Sequence, residues 1–236
     1  MIISKYLGVS IAAISLITAS GCSDSDNDDI VIDKPELSFE VTVTNLTSNQ
    51  PLSPIATVIH EDSYNPWAIG SSASEGLELL SESGDGGQFL TEADNAGAYA
   101  SLAGNGLILP GESDTLTIQT TEYAQLNLSL ATMLVNTNDA FAGLKGIDIS
   151  NLSIGEEINL SIPVYDAGTE MNAETAGSIP GPADGGEGYN VVRDDIDFVA
   201  RHPGVVSDID GYDGSVLDSS HRFDGLVAKL LIRRAL

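Results

Sequence analysis

The sequence predicts an all-β fold, an antiparallel β-sandwich with one or two short helices in its loops. Two observations lead there. Apolar residues alternate with polar ones over many short runs, the period of strands with one buried face. Those runs are separated by Gly, Pro and Asn turns, and no internal repeat or second domain interrupts them.

The elements follow in chain order. Residues 1–21 read as a secretion signal: Lys5 gives a positive start, and Tyr6 to Ile17 form an apolar run too short for a comfortable membrane span. Ala19-Ser20-Gly21 then precede Cys22, the chain's single cysteine. The stretch resembles a bacterial lipobox, in which the cysteine is lipidated and becomes the mature N-terminus, although Ala19 stands where leucine is commoner. An ordinary cleaved signal that ends near a cysteine is the alternative. Acyl chains on Cys22 would anchor the protein to a membrane, each buried methylene contributing roughly 0.8 kcal/mol. By analogy with bacterial sorting, Ser23 after the cysteine directs the protein to the outer membrane or cell surface. Residues 22–36, with the acidic run Ser23 to Asp29, are expected to be a flexible tether, or in part a surface-export signal.

The domain is expected over residues 37–236. Leu37, Phe39, Val41 and Val43 specify a first strand, and Ile55 to His60 a second, more apolar one. Ser72 with Glu75 predicts a capping box opening a short helix through Leu77 and Leu80, ended by Gly84-Asp-Gly-Gly87. Phe89 to Leu102 is ambiguous. Leu116 and Ile118 mark a strand after the Pro110-Gly111 turn, and Leu126, Leu128 and Leu130 mark the next. A hairpin then runs out from Ala140 to Ile149, turns, and returns through Ile158, Leu160, Ile162 and Val164. Ser178 to Gly188 is a long Gly/Pro loop, Tyr189 to Val192 a further strand candidate, and Leu226, Ala228, Leu230 and Ile232 a terminal strand exposing Lys229, Arg233 and Arg234.

The hairpin carries the chemistry. Asp139 in NTNDAF precedes the outgoing strand, and Asp166 and Glu170 in YDAGTE follow the returning one, so the pairing should bring Asp139 and Asp166 to one end. Gly168 tolerates φ > 0 and lets the loop curl so that Glu170 approaches. Carboxylates held that close repel unless a cation intervenes, and Ca²⁺ collects such oxygen ligands, with Asn136 and Asn138 as nearby amide or carbonyl donors. Three solvated loop acids are the alternative.

These segments also carry a family resemblance. Val41 to Thr47 (VTVTNLT), Ala73 to Leu77 (ASEGL), Leu134 to Leu144 (LVNTNDAFAGL), Tyr165 to Glu170 (YDAGTE) and Gly186-Glu-Gly188 occur in that order, and the chain resembles the spondin N-terminal domain from about Leu37 to Gly204. The resemblance implies a C2-like antiparallel sandwich that binds one calcium ion through loop carboxylates, here Asp139, Asp166 and Glu170. Glu170 falls where aspartate is usual, which keeps the charge and lengthens the side chain.

Charge and composition exclude several functions. The formal net charge is −26, and removing the signal with Lys5 leaves eight basic residues against 35 acidic ones. No basic cluster is available to displace counterions, so nucleic acid is excluded as a partner and cations or basic partners are favoured. A lone cysteine precludes an internal disulfide. Asp208, Asp210 and Asp213 lie in DIDGYDG, which lacks EF-hand spacing; an acidic turn is expected there and a second ion site is the alternative. His60, His202 and His221 are too scattered for zinc. Gly70-Ser-Ser-Ala-Ser74 is not a nucleophile elbow, and Trp67 alone makes a poor carbohydrate cleft, so Trp67 is expected to anchor a loop. The chain is therefore expected not to be an enzyme but a lipid-anchored, Ca²⁺-binding adhesion or binding module for an extracellular protein or glycan. An acidic envelope lipoprotein without metal is one rival, and a carboxylate hydrolase a weaker one.

Overall fold

A computed structural model describes residues 34–236; the signal, Cys22 and most of the tether lie outside the described residues. Strand β1 (Leu37–Asn45) follows the alternation of its sequence, with Phe39, Val41 and Val43 buried and Thr42 and Thr44 partly exposed. It lies between β4 (Ser113–Thr120) and β9 (Leu226–Arg234), antiparallel to both. The second half is built from β3 (Ala100–Ala103), β2 (Ala56–His60), β5 (Asn127–Met133) and β6 (Ala140–Asp148), again antiparallel. The strand order is β3-β2-β5-β6-β7-β9-β1-β4, with the two-residue β8 (Ala200–Arg201) pairing off this path with β7 (Glu157–Asp166).

Strand β7 joins the two halves. Glu157 to Pro163 pair with β9, whereas Val164 to Asp166 pair with β6 and the last two also with β8. The ladder to β9 shifts register between Ile162 and Pro163, where a proline that cannot donate is tolerated. The expected hairpin is thus paired only at its base, Ala140 to Ala142 against Val164 to Asp166, and its arms diverge into different halves. At the far edges, Asn105 beyond β3 donates through its backbone N–H and its side-chain amide to Asp114 on β4, at 2.9 and 2.8 Å. The all-β antiparallel fold expected from the sequence is present, bent into a nearly closed, barrel-like sandwich.

The main core fills the interior, from Phe39 and Val41 across to Leu128, Leu130, Ile162 and Leu230. A second cluster lies on the outer face of β2, β5 and β6, where Leu77, Leu80 and Phe89 cover Val58, Ala131 and Phe141. With both faces covered, β2 and β5 are buried along their full length, and the one-sided pattern expected of β5 gives way to continuous burial.

The cover is a pair of helices. In α1 (Glu75–Ser83), Ser74 caps the N-terminus by accepting from Leu77 N at 3.2 Å, and Gly84 closes the end with φ 74°. The expected capping residue, Ser72, instead donates to Asp197 O. A second helix, α2 (Gly87–Asn95), occupies the start of the ambiguous stretch and buries only Phe89 and Ala93. It crosses α1 at Gly76, where an added Cβ would stand 2.6 Å from Phe89 Cα. The strand expected at Tyr189 to Val192 does not form. Residues 189–198 run as an irregular strap over the end of the sandwich that carries Asp166, because their hydrogen bonds go to the 168–169 loop and to Glu82.

Candidate metal centre

The divergence of β6 and β7 decides what their paired base presents. Ala140 pairs with Asp166, and Ala167 N donates to Asp139 O at 3.2 Å, so Asp139 and Asp166 meet on one rim as the sequence spacing predicts. The loop ahead of β6 is fixed from within. Thr137 Oγ1 donates to Leu134 O at 2.6 Å and accepts from Ala140 N at 3.1 Å, which leaves Asp139 pointing inward with no exposed surface. Gly168 turns the other side with φ 72°; a Cβ there would meet Phe198 O at 2.3 Å, so the position needs glycine for its dihedral and for the strap's approach. That turn aims Thr169 N and Glu170 N at Asp139 Oδ2, at 2.8 and 3.2 Å, with the Thr169 hydroxyl at 3.2 Å.

The second oxygen differs. Asp139 Oδ1 is buried and has no hydrogen-bond partner, and neither has Glu170 Oε2. A buried carboxylate oxygen without a donor is costly and calls for a proton or a cation. Asp166 is better supplied, its Oδ1 accepting from Gly168 N and its Oδ2 from Asn172 Nδ2, both at 2.7 Å. Burial, then the nearby Asp166 charge, pushes the Asp139 carboxyl up to about 7, against the pull of its three donors. Glu170 is pushed up to about 8 by burial, then by Glu82 and Asp139.

Among the described residues, no three His, Cys, Asp or Glu side chains converge tightly enough to form a ready-made metal cage. The rim therefore offers an acid pair, Asp139 with Asp166, and a third acid, Glu170, that binds Asp139 through its backbone N–H and whose carboxyl feels the charges of Glu82 and Asp139. Of the two amides expected nearby, Asn136 is committed to the fold, its Oδ1 accepting from Ala183 N and its Nδ2 donating to Asn49 O. Asn138 donates to Ser178 O and also stands against the Glu170 carboxyl. The donor set is all oxygen, anionic and partly unpartnered, which suits a hard divalent cation.

Glu82 is the residue that sequence reasoning missed. It lies in the last turn of α1, is 1% exposed, accepts from Asn190 N through Oε2 at 2.8 Å, and has an unpartnered Oε1. A glutamate in an amphipathic helix reads as a solvated face. The available signal was that α1 carries too few apolar residues for the two-sided cover its position requires.

The other expected sites resolve differently. In the DIDGYDG segment, Asp210 caps a one-turn 3-10 helix by accepting from Ser207 N and Oγ, both at 3.0 Å, and pairs with Arg222, so the segment folds as an acidic turn. Trp67 is buried at 4% exposure against Phe141 and Tyr165, an anchor with no open face for a ligand. His60 is buried, bonded to Ser129 Oγ and Glu61 O, and burial lowers its pKa.

Fold and rim together define an all-β module with a buried acidic cluster at one end and no helix, among the described residues, long and apolar enough to cross a membrane. A family model described as Spondin_N matches residues 44–179, more than half of the chain, and the protein belongs to the spondin N-terminal domain family. The match contains α1, β6, the Asp139 loop and the YDAGTE segment; the strap and β9 lie beyond it. No curated protein matches the chain. The family is one of non-catalytic modules and is consistent with an extracellular binding domain.

Proposed function

We propose that this domain is an extracytoplasmic, calcium-binding protein-recognition module, held at the cell envelope by a lipid on Cys22. The observation that carries the metal reading is Asp139: its Oδ1 is fully buried, lacks any donor, and lies beside the charge of Asp166. Asp139, Asp166 and Glu170 would hold the ion, with backbone carbonyls, the Asn138 amide and water completing its six to eight oxygens. Bound there, calcium supplies positive charge that neutralises the rim and fixes the loops that otherwise repel. The chain's own residues do the positioning. Thr169 N, its hydroxyl and Glu170 N hold Asp139 Oδ2, which leaves Oδ1 free, and Gly168 N and Asn172 orient Asp166.

A protein partner fits the rim better than a glycan. The strap and its neighbours expose Met171, Val191, Val192, Ile196 and Phe198 among Asp194, Asp195 and Asp197, a mixture suited to a partner with apolar and basic groups. The one tryptophan, which a glycan site would use for stacking, is inside. A hydrolase would need two acids in one cleft: the roomiest cavity, lined by Glu36, Leu37, Tyr123, Ile154 and Arg234, has one, and the cavity that does hold two, Asp62 and Asp148, lies at the opposite end of β6 from the Asp139 rim.

Calorimetric titration of the protein with CaCl₂ tests the metal reading. Binding that is lost in Asp139→Asn supports it; no heat and no change in melting temperature between millimolar calcium and chelator would end it. Pull-down with immobilised protein, with and without chelator, tests the partner, and metabolic fatty-acid labelling tests the anchor: label on the wild type that is absent from Cys22→Ser supports it, and an unlabelled wild type ends it.

A further inference from the structure

The calcium reading leaves Glu82 without an assignment, although it is the most deeply buried acid outside the β6–β7 rim, with 1% of its surface exposed. Its two oxygens face different surroundings. Oε2 accepts from Asn190 N at 2.8 Å, the first anchored backbone donor of the strap. Oε1 is buried and has no partner. Its position within α1 adds to the cost: the last turn of a helix presents carbonyl oxygens and disfavours negative charge, and α1 has no basic residue there. Arg193, the closest cation on the strap, is already engaged by Glu78 at 2.6 Å, by Asp197 at 2.8 Å and by Ala73 O.

Glu82 also adjoins the rim. Thr169, whose hydroxyl donates to Asp139 Oδ2, stands against the Glu82 carboxyl, and the Glu82 charge acts on Glu170 more strongly than that of Asp139 does. Glu170 Oε2 and Glu82 Oε1 are thus two buried, donor-free oxygens on neighbouring side chains. With Asp139 Oδ1 they make three such oxygens, supplied by α1, by the loop before β6 and by the loop after β7. A buried oxygen without a donor is costly, and Glu82 adds one such oxygen from α1 to the acids of a rim that do not by themselves close a cage.

We propose that Glu82 is a further ligand of the rim cation, directly or through one bound water, and that its other oxygen ties that cation to the strap of residues 189–198. This rests on the reading of the rim as a calcium site. Its consequence is that ion binding orders the strap and with it the exposed Val191, Val192, Ile196 and Phe198. The coupling is reciprocal, so a partner that holds the strap tightens calcium.

The test is calorimetric titration with CaCl₂ of the wild-type protein, Glu82→Gln and Glu82→Asp, together with hydrogen exchange of residues 78–84 and 189–198 in calcium and in chelator. Glu82→Gln keeps an acceptor for Asn190 N and loses the charge. It should weaken calcium about 10- to 100-fold without lowering the melting temperature in chelator, and Glu82→Asp should recover part of the affinity. Calcium should slow exchange of the strap in the wild type and much less in Glu82→Gln. If the wild type binds calcium and Glu82→Gln binds it within twofold of the same affinity, the Glu82 assignment is overturned and the rim site stands. If the wild type binds none, both fall. Should Glu82→Gln fail to fold, the wild-type exchange decides: a strap equally labile in calcium and chelator overturns the proposal.

Discussion

Residue by residue, the informative feature of the rim is the contrast between the two oxygens of one carboxylate. Asp139 Oδ2 receives three donors and Oδ1 none. Asp139→Asn therefore separates a structural role from a metal-binding one. The amide oxygen can keep the contacts of Oδ2, and the neutral group no longer repels Asp166, so melting in chelator should be unchanged or slightly higher while the calcium-induced rise disappears. For the wild type, calcium at about 100 times Kd is worth about 2.7 kcal/mol, which for a domain of this size is a rise of about 5–10 °C. A second prediction concerns pH. Asp139 and Glu170 are raised to about 7 and 8 in the folded protein, so the fold holds protons that an unfolded chain releases near pH 4. Their contribution to stability is complete below about pH 4 and is lost as pH rises through 7 to 8. In chelator, the melting temperature should fall across that window, and calcium should flatten or reverse the fall; a pH-independent melt in chelator would contradict the buried placement of these acids. Both aspartates were legible in the sequence because a hairpin fixes which ends meet. Glu82 was not, because its burial depends on the packing of a helix against a strap about 110 residues away.

At the level of elements, period-2 alternation located β1, β4, β5, β7 and β9, because it records which face of a strand is buried, and a continuous apolar run located β2. It does not record which neighbour a strand pairs with. That is why β6 and β7 read as one continuous hairpin, although their arms separate after three residue pairs and β7 crosses to β9 at Pro163. Helix α2 was illegible for a different reason: it begins at glycines and buries only Phe89 and Ala93, too few positions to establish a 3.6-residue period. The strap read as a strand because Tyr189, Val191 and Val192 are apolar, yet they are exposed and its backbone bonds go to side chains and turns. Two substitutions test how it is held. Gly168→Ala imposes a side chain at φ 72° against Phe198 O and should cost more than about 2 kcal/mol, measured by denaturant unfolding. Arg193→Gln removes the partly buried pair with Glu78 and leaves that acid, with 6% of its side chain exposed, short of its cation; a loss of about 1.5–3 kcal/mol is expected, with faster hydrogen exchange confined to residues 189–198 and the end of α1. Unchanged exchange there would mean that the ion pair does not hold the strap.

The molecule as a whole combines a nearly closed sheet with a formal charge of −26 over the full chain. General repulsion among exposed acids should destabilise it at low salt, and any electrolyte relieves that repulsion by screening beyond roughly 10 Å at 0.1 M. A buried rim behaves otherwise. Asp139 has no exposed surface and Glu82 1%, so mobile counterions reach neither, and a proton or a desolvated ion seated among the oxygens is needed to offset their charge. The two effects can be separated by titrating melting temperature with NaCl and then with CaCl₂ at constant ionic strength. Sodium should raise the melting temperature gradually and without saturation, through the exposed acids. Calcium at micromolar to millimolar concentration, against a background of 0.3 M NaCl, should add a saturating rise, and magnesium a smaller one, because it resists dehydration and demands a tighter octahedron than three side chains from separate elements provide. In Asp139→Asn the sodium dependence should persist and the calcium step should vanish. Equal responses to calcium and magnesium, proportional only to ionic strength, would show the acids acting as a diffuse surface charge, and the rim would then have no claim to a specific ion.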